Sequence, residues 1–180
     1  APQGVRSAVA LSSSGSLSLK TAGDIHFFDA LIIADHVLSH SKRRLNDGFY
    51  EATVNGEKLV CVYLPWSVDT RLLSFELDDE ATLIPYKYSR KVLTFGDSIT
   101  HGYDAEHPSM SYASLIADFL DADAVNKGIG GEVFRPELCK IAEDFTPDVI
   151  TVAYGTNDWS ITDKNTFDKN SEEFPRCFLV

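Results

Sequence analysis

The sequence predicts an α/β domain preceded by a small all-β module, and three observations carry that prediction. From residue 5 to about residue 88 the apolar residues come in short runs separated by turn-forming residues. At Tyr86-Lys87-Tyr88-Ser89-Arg90 the composition turns polar, and beyond it the periodicity changes class. From Lys91 onward strand-like and helix-like segments alternate, the pattern of parallel strands joined by crossover helices. The expected domains are therefore residues 1–88 and residues 91–180.

In the first module the strand-like runs are Val5–Leu11, Leu17–Lys20, Ile25–Phe28, Gly48–Val54, Lys58–Leu64 and Arg71–Leu77. Leu73, Phe75 and Leu77 alternate with Ser74 and Glu76, the period of a strand with one wet face. Asn55-Gly56 supplies the positive φ values of a type I′ turn and so predicts a hairpin between the flanking runs. Leu31–Ala34 fits a buried strand, but Asp29–Ser41 as a whole has no deciding pattern. Several short strands with turns between them suggest a small β-sandwich.

In the second module Lys91–Phe95 is a buried strand that stops abruptly at Gly96-Asp97-Ser98. Ser109–Leu120 is a helix, capped by Ser109 or Ser111, with Tyr112, Leu115, Ile116, Phe119 and Leu120 on one apolar face. Ala122–Asn126 is a second strand, Pro136 suits the first turn of a helix reaching Ala142, and Asp148–Tyr154 is a third, buried strand. Strand, helix, strand, helix, strand implies right-handed crossovers and a parallel sheet. Near the chain end a helix is expected to begin at about Ser171 and to break at Pro175. Asp163, Asp168, Glu172 and Glu173 read as a solvated helix face.

Composition narrows the partners. The 180 residues, 44% hydrophobic and 24% charged, suffice for a sizeable core. A net charge of −11 argues against nucleic acid as the main ligand, and the short clusters Lys42-Arg43-Arg44 and Arg90-Lys91 read as solvated turns. No run has the roughly 18 apolar residues of a membrane helix, and the N-terminus lacks a signal-peptide layout. The cytoplasm is the expected compartment, a mature secreted form the alternative. Cys61 and Cys139 lie within apolar patterns and are expected to be buried free thiols, and the three cysteines and five histidines lack metal-ligand spacing. Neither a metal nor a cofactor is expected.

The chemistry concentrates in three blocks, each following a strand. Ser98, at the end of the first parallel strand, is the candidate nucleophile, although a capping serine would occupy the same place. In Asn126-Lys127-Gly128-Ile129-Gly130-Gly131-Glu132 the glycines let backbone approach a ligand, or simply form a turn. Gly155-Thr156-Asn157-Asp158 is turn-like, and its asparagine is also a hydrogen-bond donor. Their order and spacing resemble the SGNH/GDSL hydrolase family, over residues 91 to about 165. The resemblance implies a flavodoxin-like three-layer α/β/α fold and ester or acyl hydrolysis through an acyl-enzyme. It also implies an oxyanion hole built from the Gly131 N–H, the Asn157 side-chain amide and the Ser98 N–H. Upstream, Asp47-Gly48-Phe49-Tyr50 resembles the β-sandwich that precedes the hydrolase domain in one bacterial branch, some of whose members deacetylate carbohydrates.

One family block has no counterpart. The resemblance calls for a late Asp-x-x-His to take the serine proton, yet no histidine follows His107. Asp104-Ala105-Glu106-His107 has that spacing but precedes the helix, and His101 reads as a loop residue lining the site. The expectation is therefore a C-terminally truncated, incomplete SGNH domain whose exposed sheet edge either promotes association into homo-oligomers or borrows cover from the β-sandwich. The leading function is a serine esterase acting on a small ester or acylated carbohydrate. The alternative is a non-catalytic protein that binds a glycan or a partner on an incomplete hydrolase scaffold.

Overall fold

The computed structural model describes residues 6–11, 15–22, 31–34, 37–39, 47–54, 58–63, 71–77, 83–106, 108–139 and 145–178. By contacts the chain divides into two compact units, Gly4–Tyr88 with Ala105–Met110, and Ser89–Asp104 with Ser111–Val180.

The first unit contains strands β1 (Arg6–Leu11), β2 (Gly15–Ala22), β3 (Leu31–Ala34), β4 (Val37–Ser39), β5 (Asp47–Val54), β6 (Lys58–Tyr63), β7 (Arg71–Leu77) and β8 (Leu83–Pro85). They form two sheets, β4-β3-β6-β1-β8 and β5-β2-β7, whose pairs are antiparallel throughout. Leu31–Ala34, ambiguous in sequence, is a strand because β6 and β4 both pair with it. The expected β5–β6 hairpin does not form: β5 pairs with β2, and β6 pairs with β1 and β3 in the other sheet. Asn-Gly favours a chain reversal, but long-range pairing decides which sheet each strand joins. Asn55–Glu57, Ile25–Phe28 and Lys42–Arg44 lie outside the described residues. Cys61 and Tyr63, two residues apart on β6, share a buried face, and Cys61 is a free thiol as expected.

The second unit runs β9 (Arg90–Gly96), α1 (Ser98–His101), α2 (Tyr112–Phe119), β10 (Ala122–Gly128), a 3-10 turn at Pro136–Cys139, β11 (Val149–Ala153), α3 (Asp158–Ile161) and α4 (Lys164–Arg176). Its sheet is parallel in the order β10-β9-β11. Val92, Leu93, Thr94 and Phe95 of the central strand are buried on both faces, which is why that strand reads as an unbroken run. The third strand corrects the expectation of full burial, since Val149–Val152 are half-buried and Ala153 is exposed on an outer strand.

Helix α2 is capped by Ser111, whose Oγ accepts from the Ser114 N–H at 3.2 Å. Its buried face is not the one the bulky residues predict. Ala113 and Ala117 point inward, whereas Leu115 and Phe119 are exposed. Two small residues at i and i+4 let the helix backbone approach the sheet closely, and the larger side chains are displaced outward.

Helix α4 also corrects the sequence reading. It starts at Lys164, behind an Asp163 cap that accepts from the Thr166 N–H at 3.1 Å, and continues through Pro175 to Arg176. A proline so near the end removes only the bond to the Ser171 carbonyl, while the preceding Phe174 anchors the last turn. Phe174 is fully buried, edge-on to Phe95 at 5.4 Å and Tyr154 at 5.5 Å between ring centres. Such pairs add roughly 0.5–1.5 kcal/mol to the burial of the rings themselves. Of the acidic face, Asp163 and Glu172 are exposed, and Asp168 pairs with Lys164.

Cys139 overturns its expected state as a free thiol. It is disulfide-bonded to Cys177, with 6.3 Å between the Cα atoms and a sequence separation of 38. Apolar context alone points to a thiol, but α4 folds back so that Cys177, the residue just after its last turn, reaches the 3-10 turn.

Candidate active site

The three chemical blocks lie at one end of the parallel sheet. The register sets Gly128 of β10 and Ala153 of β11 level with Gly96 of β9. Ser98, Gly131 and Asn157 follow those residues by two, three and four positions, so all three emerge beyond the carboxyl ends of adjacent strands. Open α/β sheets bind ligands there.

Asp97 shapes the nucleophile turn. Its backbone is extended, it is buried, and its Oδ1 accepts from the Ile99 N–H at 2.9 Å, capping the four-residue α1 that begins with Ser98. Ser98 itself is half-buried, and its carbonyl accepts from the Gly102 and Tyr103 N–H groups at 3.1 and 2.8 Å. Two residues on, the buried Thr100 bonds the Tyr112 hydroxyl at 2.5 Å, tying α1 to α2. Burial pushes the Tyr112 phenol above its ordinary pKa.

The glycine block forms an open turn. The Ile129 N–H donates to the Gly96 carbonyl at 3.0 Å, which joins the start of this turn to the end of β9. Gly131 has φ +76°, a conformation that favours glycine, and nothing lies within 4 Å of the place where its Cβ would be. The N–H of Gly131 therefore belongs to a segment that a ligand can approach closely.

Asn157 precedes α3 in the capping position but does not cap it. Its Nδ2 instead donates to the Glu132 carbonyl at 2.9 Å, reaching across to the glycine turn. A primary amide carries two hydrogens, so the second is left for another acceptor. The neighbouring Asp158 is buried, and its carboxylate accepts from the Phe134 N–H at 3.2 Å. Asn170 of α4 donates to the Phe134 carbonyl at 2.8 Å. The glycine turn is thus held by three side chains from the α3 and α4 region.

Glu132 pairs with Arg135, which raises the guanidinium pKa. Tyr154 lies beneath this loop, and burial, then the charges of Glu132 and Asp97, push its phenol up to about 12. Among the described residues no group of three His, Cys, Asp or Glu side chains is arranged to hold a metal, and no helix is long and apolar enough to cross a membrane.

The structure thus brings the Ser98, Gly131 and Asn157 segments to one sheet edge. His101 is half-buried at the end of α1, Asp104 is exposed with φ +66°, and His107 lies outside the described residues. Sequence reading missed Asp97, Asn126 and Asp158 as organisers of the loops, although all three stand inside the quoted motifs. Asn170 carries no local signal at all.

Parallel strands with helices between them and loops converging at one end match part of the SGNH flavodoxin-like fold. The profile of the GDSL-like lipase/acylhydrolase family matches residues 94–173. Among solved structures, the salicylyl-acyltransferase SsfX3 from a tetracycline biosynthetic pathway is similar with a TM-score of 0.74 at 23% identity, over 95% of this chain and 54% of that one. The family two carbohydrate esterase from Clostridium thermocellum, in complex with cellohexaose, has a TM-score of 0.74 at 18% identity, over 98% of this chain and 68% of that one. The family two carbohydrate esterase from Cellvibrio japonicus gives 0.69 at 22% identity, over 99% and 66%. At these identities the likeness is one of fold. The chain spans about half the length of the acyltransferase and about two thirds of each esterase. No curated protein matches the sequence.

Proposed function

We propose that the protein is a serine acyl hydrolase that removes a small acyl group, such as acetyl, from a carbohydrate or similar ester. Ser98 Oγ attacks the ester carbonyl carbon, forming the O–C bond of a tetrahedral intermediate. The negative charge then accepts hydrogen bonds from the Ser98 and Gly131 N–H groups and the free hydrogen of the Asn157 amide. Collapse expels the alcohol, which takes up a proton, and water hydrolyses the acyl-serine to acid and regenerated serine. Donors preset at the developing charge are worth about 10²–10³ in kcat for each one removed. The N-terminal unit, with its two antiparallel sheets, serves in this reading as a companion β-sandwich.

The observation that carries the reading is the Asn157 amide: it forgoes the cap of its own helix and donates to the turn that contains Gly131. A plain turn asparagine would not need to cross to another loop. The serine proton passes to solvent water, which also protonates the departing alcohol, since no histidine occurs after His107 in the sequence to act as a positioned base. A positioned base contributes roughly 10²–10⁴-fold, so turnover by this chain is expected to be slow. Hydrolysis of p-nitrophenyl acetate tests the assignment. Ser98→Ala and Asn157→Ala should each reduce the enzyme-dependent rate, Asn157→Ala by about 10²-fold. A rate untouched by Ser98→Ala would leave the protein without this function.

A further inference from the structure

We propose that Asn126 is a positioning residue for Ser98, an inference that rests on the acyl-hydrolase reading above. Its side chain is engaged at both ends. Nδ2 donates to the Thr100 carbonyl at 2.7 Å, and Oδ1 accepts from the Gly128 N–H at 2.8 Å. Thr100 belongs to α1, the four-residue helix that starts at Ser98. A helix this short leaves its final carbonyls without partners of its own, and Asn126 supplies the missing donor. Gly128 ends β10, and the next N–H, that of Ile129, bonds the Gly96 carbonyl at 3.0 Å before the glycine turn begins. One carboxamide therefore fixes the nucleophile turn and the root of the glycine turn relative to each other.

An independent observation marks how closely those two segments meet. A Cβ on Gly128 would lie 2.3 Å from His101 N and 2.7 Å from Thr100 C, so backbone touches backbone with no side chain between. Asn126, two residues earlier on the same face of the strand, spans this contact. Without it, α1 can slide against β10, and Ser98 leaves its alignment with the oxyanion donors. The residue touches no reacting atom; it acts through Ser98 and the glycine turn.

Two substitutions read out this role in p-nitrophenyl acetate hydrolysis. Asn126→Ala removes both bonds. Asn126→Asp keeps the volume and the acceptor toward Gly128 but sets a carboxylate against the Thr100 carbonyl. Both should lower kcat about 10- to 100-fold, the scale of loss from misplacing reacting groups by about 1 Å, with KM within about twofold. Urea unfolding of each variant, followed by circular dichroism, supplies the folded fraction by which kcat is corrected. Wild-type kcat in Asn126→Asp, a loss no larger than the loss of folded protein, or failure of both variants to fold would make the residue structural and overturn the proposal. Ser98→Ala in parallel separates the two claims. If it abolishes turnover while the Asn126 variants stay at wild-type kcat, only this inference fails; if it changes nothing, the acyl-hydrolase reading fails first.

Discussion

Replacing Gly96 with alanine would place a methyl group 1.9 Å from Thr100 Oγ1 and 2.6 Å from the Ala153 carbonyl oxygen. Ordinary contacts of a Cβ begin at about 3.4 Å, so at least one neighbour must move by more than about 1 Å. Neither neighbour gives way cheaply. Thr100 is fully buried and bonded to the Tyr112 hydroxyl, and Ala153 is locked to Gly96 in the parallel ladder. Overpacking costs about 1–3 kcal/mol, and losing the Thr100–Tyr112 hydrogen bond adds about 1 kcal/mol. For a chain of this length, 1 kcal/mol corresponds to about 2–4 °C, so a fall in melting temperature of roughly 5–15 °C is expected. Gly130→Ala is the internal control for stability, because its Cβ would meet nothing within 4 Å. Thermal melts followed by circular dichroism compare the two. Equal melting temperatures for Gly96→Ala and Gly130→Ala would refute the packing argument.

Tyr154 predicts an alkaline limit. Its folded pKa of about 12 lies above the ordinary 10.0, so the neutral phenol stabilises the fold fully below pH 10, and that contribution is lost as pH rises toward 12. Absorbance titration at the tyrosinate band should show the late phenol, and Tyr154→Phe should remove this part of the alkaline stability loss; an unchanged profile would contradict it. Reducing the Cys139–Cys177 bridge, which spans 38 residues, should cost about 4 kcal/mol in the chain-entropy account. Urea midpoints with and without reductant measure this, and a midpoint indifferent to reductant would count against the bridge.

The parts of the fold that sequence made legible are those set by local pattern. The central strand β9 is an unbroken apolar run because both of its faces are covered, and Gly-Asp-Ser marks its end because a buried strand cannot tolerate such a turn earlier. The parts that escaped depend on distant partners. The helix face of α2 was misjudged because Leu115 and Phe119 carry the apolar periodicity while the close approach is made by Ala113 and Ala117. The continuation of α4 through Pro175 depends on Phe174 finding Phe95 and Tyr154, contacts that no window around residue 175 contains. At the site, motif order and strand ends pointed to Ser98, Gly131 and Asn157. The ties among their loops, from Asn126, Asp158 and Asn170, became visible only with the side chains in place.

The central claim is that Ser98 is a nucleophile presented at the carboxyl edge of the parallel sheet. A fluorophosphonate that phosphonylates activated serines tests this directly, because the adduct is covalent and can be mapped by peptide mass spectrometry whatever the rate of turnover. The account predicts one adduct per folded chain, on Ser98, absent from Ser98→Ala and from urea-unfolded protein, and formed more slowly in Asn157→Ala. Labelling of the folded chain at another serine, or no labelling after prolonged exposure, would contradict it.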